Sequence, residues 1–580
     1  MKKHFLLLAS CLFLFSSCGK ESITHPSEAE KPSENLSGKS HNTDSRHSNS
    51  GKNSIDSKGS PKSTPSISTP NSPQKDDTPI YYFDSSSMFP DGTMEHPFSS
   101  LDSIKNIDFE KGAKLLFRKG SVFHSQLRLV DIHGTENHPI VVSSYGEGDM
   151  PVFSPENQIG EGVVYLRNCS DIIVENLEIT IGSEEENDRR GVLVETDGNS
   201  SSDMVTTYSN ITLRNLYIHD IHGYSDQAGN GMATKSKITG GIHLWSKDGK
   251  GRVDGFHVEE CTMERISNVA VATWYQVKGT KISKVSPYDE KFKDTAHLNV
   301  TVKGNRISYI AKNAIFVRNL YKGKVSENII HDTATTCKAG NTIVTSYVDS
   351  TVVESNEGYK NMASKQGDGK FQDGAMLDAD LQSKDVLFQY NYSHENSFGL
   401  FLNCNAQKST DSGIKDIVTV RYNLSLNDQG NKGILYVNYY VGRIDFYNNT
   451  ILTSKDGSPI LLEVNDDRKL RMFNNIFYSY SPSSSIKIGN RKGIQSEKNL
   501  FYSRGVIDNI KNLPDILSFD PKPEKEIESN VCSISKAIGY ARMTDNRIYN
   551  PDNVVSSDVE TKDILGHDNK PSLGCINRLD

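Results

Sequence analysis

The sequence predicts an all-β solenoid, a parallel β-helix, behind a non-folding N-terminal stretch. Short strand-like runs recur from about residue 80: DIIVENLEI, NITLRNLYI, GFHVEECTM, LNVTVKGNRI, GKVSENII, STVVESNE, DVLFQYNYS, IVTVRYNLS, RIDFYNNTI and LRMFNNIF. An asparagine closes many of them, at Asn305, Asn328, Asn356, Asn391, Asn423 and Asn448, with separations of about 23 to 35 residues. That period suits one solenoid coil plus a variable loop. A second strand follows in each coil: GVLVE, GIHLW, VAVATW, AIFVR, TIVTS, AMLDAD, LFLNCN and ILYVNY. A β-sandwich would also give many short strands but would not need asparagine at one repeated place. Asparagine tolerates a left-handed turn, and stacked asparagines can hydrogen-bond from coil to coil.

Residues 1–18 read as a secretion signal, with Lys2 and Lys3 followed by an apolar run to Phe15 and then Ser16-Ser17-Cys18-Gly19. This stretch resembles the lipobox of Gram-negative bacterial lipoproteins. The resemblance implies acylation of Cys18, an outer-membrane location and membrane contact through that lipid alone. Residues 19–79 are rich in Ser, Pro, Lys, Asn and Asp and lack aromatic residues before Tyr81. They bury too little apolar surface to offset the entropy of ordering, so a disordered tether is expected. A single domain is expected over 80–580, with an atypical closing segment from about 512 that covers the open end of the solenoid.

The net charge of -8 argues against general nucleic-acid binding. Of the 8 cysteines none forms a CxxC pair, so zinc is not expected. Cys404 is expected as a buried free thiol, and a Cys532–Cys575 disulfide is conceivable. A monomer is expected.

At the start of the repeat, Asp91-Gly92-Thr93, Pro97-Phe98 and Leu116-Phe117-Arg118 occur in order. These pieces resemble the N-terminal cap and first coils of bacterial right-handed parallel β-helix proteins that act on polysaccharides. The likeness reaches from Ile80 to the C-terminus and comes closest to β-helix lyases acting on uronic-acid polymers such as chondroitin and hyaluronan. It implies a right-handed helix, a loop-built cleft and an acidic polysaccharide substrate cut by β-elimination.

Alternation along the second strands gives an outward row: His243, Trp245, Trp274, Phe316, Arg318, Thr345, Asp378, Asp380, Asn403, Asn405, Tyr436 and Asn438. Register would place Asp378 beside Asn403 and Asp380 beside Asn405. Both tryptophans of the chain fall on this row, and an aromatic face with polar neighbours is a common way to hold sugar rings. Trp245, Trp274, Lys370, Asn403, Asn405 and Tyr436 are therefore candidate substrate contacts. Arg189, Arg190, Lys235, Lys237, Lys312, Arg318 and Lys370 suggest a basic cleft. For a lyase, Arg318 would neutralise the uronate, His243 or His394 would be the base, and Tyr275 acid or base. Asp373, Asp378 and Asp380 could hold Ca²⁺. The alternative is a glycoside hydrolase, for which Asp378 and Asp380 stand roughly 7 Å apart on one strand face, with Asp373 and Glu395 as further carboxylates. A third possibility is a surface protein that binds glycans without catalysis.

Overall fold

The computed structural model describes residues 77–580 except 158, 199–200, 202–203, 225–238, 276–285, 366–372, 405–416, 432, 438–442, 455–459, 465–469, 490–492, 511–512, 526–533, 557–561, 569–571 and 578–580. The chain divides into two units, and Thr78–Asp580 carries the fold. The signal stretch, Cys18 and the tether lie outside the described residues, as do Lys370, Asn405, Asn438 and Cys532.

Thr78–Asp580 winds as a right-handed parallel β-helix in which every named strand pairs parallel with the equivalent strand of the next coil. Three faces result. The front face carries the second strand of each coil: Arg190–Thr196, Gly240–Ser246, Val269–Tyr275, Ile315–Tyr321, Ile343–Glu354, Ala375–Asp380, Gly399–Cys404, Leu435–Val437 and Ile460–Val464. A flank face carries the asparagine-closed strands, such as Ser383–Gln389 and Ile417–Arg421. The back face carries short strands such as Ile329–Thr333, Glu357–Tyr359 and Tyr392–His394. One apolar core, from Phe83 to Leu513, fills the interior between them.

The asparagine ladder runs through Asn305, Asn328, Asn356, Asn391, Asn423, Asn449, Asn475 and Asn499. Each amide as far as Asn475 donates to the next asparagine's Oδ1 and to a carbonyl inside the coil; for Asn391 these are Asn423 at 3.0 Å and Val353 at 3.0 Å. The last predicted rung moves by one residue, because Asn449 stacks while Asn448 takes φ +51°. The two roles expected of one asparagine are thus divided. The left-handed residue precedes the ladder, and Glu327, Ser355, Tyr390 and Tyr422 fill that place in other coils.

At the N-terminus the Asp-Gly-Thr turn is closed by Thr93 N and Oγ1 donating to Asp91 Oδ1 at 2.9 and 2.7 Å. Gly92, at φ +89°, lies under the Phe98 ring, which a Cβ would overlap. Arg118 pairs with Asp84 at 2.7 Å and fixes this cap to the first coil.

The C-terminal segment packs against the side of the helix. Ala537, Tyr540, Ala541, Met543, Ile548, Leu573 and Cys575 pack on Tyr392, Leu424, Leu426, Leu452 and Tyr478, which project outward from the back face. The segment therefore covers the side of the later coils as well as following them. Cys575 is a buried free thiol, which removes the conceived Cys532–Cys575 bridge. Cys404 is disulfide-bonded, contrary to the expected free thiol.

Candidate active site

Along the front face the inward residues, Ile242, Leu244, Val271, Val317, Leu377 and Ala379, join the core. Alternation then turns His243, Trp245, Trp274, Phe316, Arg318, Asp378 and Asp380 outward. Register links Ala272 to Phe316, Phe316 to Val344, Val344 to Asp378, Asp378 to Leu402, and Leu402 to Tyr436.

This register corrects two expected positions. Asn403 aligns with Ala379 and not with Asp378. It points inward and donates to Ala379 O at 3.0 Å. Thr345, which also aligns with Ala379, is inward too. Phe401 enters the core in the Gly399–Cys404 strand, against Phe388 at 5.5 Å. A one-residue slip flips every side chain of a strand to the other face.

A cleft opens on this face. Asn268, Val269, Trp274, Lys312, Asn313, Phe316, Arg318, Asn341, Val344, Asp373, Asp378, Asp380 and Leu381 line it. Three carboxylates thus meet an aromatic wall. Trp274 stacks on Phe316 at 5.1 Å, and the Arg318 guanidinium lies between the rings of Trp274 and Tyr347, at 5.3 and 4.3 Å. Cation–π contact holds a guanidinium in place. The Arg318 backbone is fixed by Thr273, whose hydroxyl both accepts from Arg318 N and donates to Arg318 O, each at 2.7 Å.

Asn341 organises the carboxylate strand. Its Nδ2 donates to Asp378 Oδ2 at 2.7 Å, and its Oδ1 accepts from Gly374 N and Ala375 N at 2.8 and 2.9 Å. Asn313 donates in turn to Asn341 O at 3.0 Å. Sequence reasoning missed this pair and Tyr347. A signal existed: Asn268, Asn313 and Asn341 stand one, two and two residues before the front strands of three successive coils.

Other predicted residues lie elsewhere. His394 is on the back face, stacked between Tyr359 and Tyr392 at 4.5 Å each, with Nε2 3.3 Å from Glu357. It does not flank the cleft. His243 is on the front face but wholly buried, between Leu193 and Ala272 in register. Burial pushes its imidazole down to about 3. Neither ring nitrogen reaches hydrogen-bond geometry, although backbone groups of Thr239 and Val269 lie near. Trp245 packs beside Trp274, with Lys247 over its ring. Tyr436 packs edge-on against Phe398 and is nearly buried. The backbone of Tyr275 ends the Val269–Tyr275 strand, and its side chain lies outside the described residues.

Of the expected cleft bases, Lys235 and Lys237, like Lys370, lie outside the described residues, and two arginines lie away from the cleft. Arg190 is buried and paired with Asp188 at 2.8 Å, and Arg189 is buried with its guanidinium on Ser183 and Glu185 carbonyls. Among the described lining residues only Lys312 and Arg318 are basic, against three aspartates. Those aspartates share a cleft, yet no group of three or more His, Cys, Asp or Glu among the described residues is arranged to hold a metal.

No family model matches the chain. The chain is similar to lacto-N-biosidases. It is 26% identical to the lacto-N-biosidase of Bifidobacterium longum subsp. longum over 487 residues, which is 71% of this chain and 29% of that protein. The crystal structure of a GH136 lacto-N-biosidase from Eubacterium ramulus superposes with a TM-score of 0.51 at 20% identity, covering 76% of this chain and 67% of the other. An alginate lyase from Paenibacillus sp. str. FPU-7 reaches only 0.35 at 13% identity, over 56% of this chain and 92% of its own, too distant to speak to the reaction. The sequence relative overturns the expected kinship with glycosaminoglycan lyases and, with it, the β-elimination reading.

Proposed function

We propose that the chain is a glycoside hydrolase acting on a neutral glycan. The reading rests on one observation: Asp373, Asp378 and Asp380 share one cleft with the Trp274–Phe316 wall. Glycoside hydrolysis requires two carboxyl groups, one protonating the departing oxygen and one serving as nucleophile or as base for water. Outward neighbours two apart on a strand stand roughly 7 Å apart, within reach of a glycosidic bond laid across them. Two of the three aspartates would do this work and the third would orient them. Asn341 holds Asp378 in the orientation the site needs. The stacked tryptophan offers an apolar platform for a sugar ring, and Arg318 offers donors to hydroxyl groups.

With three acidic groups and two basic ones, the described lining has no positive excess to hold a polyanion. The likeness to lacto-N-biosidases supports a finer reading, release of the disaccharide lacto-N-biose from the end of a longer glycan. The test is incubation with glycans ending in that disaccharide, with parallel detection of new reducing ends and of unsaturated product by ultraviolet absorbance. Release of disaccharide without an absorbance rise supports the proposal. An absorbance rise, or no product from any neutral glycan, defeats it.

A further inference from the structure

Asn313 lines the cleft, and only 6% of it is exposed. It is held from two sides. Ala270 N donates to its backbone carbonyl at 3.4 Å, and its own Nδ2 donates to Asn341 O at 3.0 Å. A carbonyl can only accept, so the second bond fixes which end of the amide is which. Nδ2 faces Asn341 O, and Oδ1 is turned away from it.

That oxygen receives no hydrogen bond from any described residue. The asparagines of the ladder behave differently. Each Oδ1 from Asn328 to Asn499 accepts from both the backbone N–H and the side-chain amide of the asparagine one coil earlier, as Asn328 does from Asn305 and Asn499 from Asn475. Asn341, the next cleft asparagine, also engages its Oδ1 twice, with Gly374 N and Ala375 N. A nearly buried amide oxygen without a donor is costly unless a ligand supplies one.

The position suits a ligand. Register pairs Val271 with Ile315 and Ile315 with Ile343. Two residues back, Asn313 therefore stands between Val269 and Asn341, both of which line the cleft. Asn341 links it to the carboxylates, because its carbonyl accepts from Asn313 while its side chain donates to Asp378 at 2.7 Å. Two coil steps, roughly 10 Å, separate the Asn313 coil from the Asp378 coil. A sugar bound at the cut bond, together with its neighbour, spans such a distance. An anionic substituent has no donor to offer the oxygen, whereas a hydroxyl or an amide N–H does.

We propose that Asn313 is a substrate-binding residue of this cleft, its Oδ1 accepting a hydrogen bond from an uncharged donor, a hydroxyl or an acetamido N–H, on the sugar beside the aspartates. The inference rests on the hydrolase reading for the identity of the ligand. One amide then holds Asn341 with its nitrogen and the sugar with its oxygen, which ties the position of the sugar to that of Asp378.

Calorimetric titration of lacto-N-biose into wild type, Asn313→Ala and Asn313→Asp tests it. Asn313→Ala should weaken binding roughly threefold to tenfold, the worth of one neutral hydrogen bond. Asn313→Asp keeps the acceptor but gives up the bond to Asn341 O, and it should keep wild-type affinity. A purely structural amide would instead make the two variants equally weak. That result, no loss in Asn313→Ala, or no binding by wild type overturns the inference. A second ligand, the disaccharide with 2-deoxyglucose in place of its N-acetylated sugar, identifies the donor. A loss in Asn313→Ala confined to lacto-N-biose assigns the acetamido N–H, and an equal loss on both ligands assigns a hydroxyl; either sustains the proposal. Binding that depends on Asn313, with no disaccharide released from longer glycans, would leave this inference standing and the hydrolase reading fallen. Release with binding indifferent to Asn313 would do the reverse.

Discussion

The front and back faces of this helix are built from the same repeat, and both turn aromatics, histidines and acids outward. On the back face those groups find one another. His331, Tyr359 and His394 stack at 4.9 and 4.5 Å, His331 touches Asp332 at 2.7 Å, and the C-terminal segment closes over the coils beyond. On the front face the aromatics and acids instead line a cleft: Trp274 and Phe316 form one wall, and the aspartates face the opening. A parallel solenoid fixes the spacing of outward groups without fixing their use. What separates the two faces is whether the outward groups are packed over by the chain or line an open cleft.

The sharpest way to break this contrast is to neutralise the front-face acids. Asp380→Asn should lower kcat by about 10²- to 10⁴-fold, the range for loss of a general acid or base, with the denaturation midpoint unchanged. Asp373→Asn and Asp378→Asn should divide: one should match Asp380→Asn, and the other should lose less. Initial rates on a neutral disaccharide glycoside decide it. Comparable small effects from all three would place the chemistry elsewhere.

The next effect is on stability. Asn391→Ala should cost about 3 kcal/mol, because it strands Val353 O and the Asn356 backbone N–H and side-chain amide inside the coil. Urea denaturation reads this directly. The same change at Asn210, which loses one exposed bond to Asp171 and puts Ala at φ +51°, should cost about 1 kcal/mol.

The third effect is pH-dependent. His243 is held neutral by burial, with a pKa of about 3 against 6.5 for the unfolded chain. A base whose pKa is depressed by folding contributes no penalty above the unfolded value. As pH falls below 6.5 the unfolded state takes up a proton that the folded state refuses, so stability drops until about pH 3. The loss from this residue at pH 5 is about 2 kcal/mol. His243→Leu, set between Leu193 and Ala272, should keep neutral-pH stability and flatten the acid limb of the stability–pH curve. An unchanged acid limb would mean His243 is protonated in the folded protein.

The fold was legible in the chain because the asparagine period and the core alternation report on each coil separately, so one misread coil does not disturb the rest. The carboxylate cluster was legible for a local reason: Asp378 and Asp380 are alternate residues of one short strand. The partners of that strand were not, because register depends on which of two adjacent apolar residues enters the core. In Gly399–Cys404, Phe401 displaced Leu402 from that role and carried Asn403 inward with it. His394 was misplaced because nothing in its immediate sequence says which face its strand joins.

The smallest expected effect is the most direct check on the two-face contrast. His394 stands in the back-face stack, between Tyr359 and Tyr392, and reaches Glu357 with Nε2. If that stack is structural, its ring matters and its proton does not. His394→Phe preserves a planar ring for both tyrosines and gives up one hydrogen bond at 3.3 Å, long enough to be weak. Catalytic rate and KM on the disaccharide glycoside should stay within about twofold of wild type, the scatter typical of substitutions away from a site. The pH–rate profile should keep both limbs in place. His394→Ala, which opens a gap in the stack, should lower the denaturation midpoint while sparing the rate of the folded fraction. A displaced basic or acidic limb in His394→Phe would tie the back face to the chemistry and dissolve the distinction between the two.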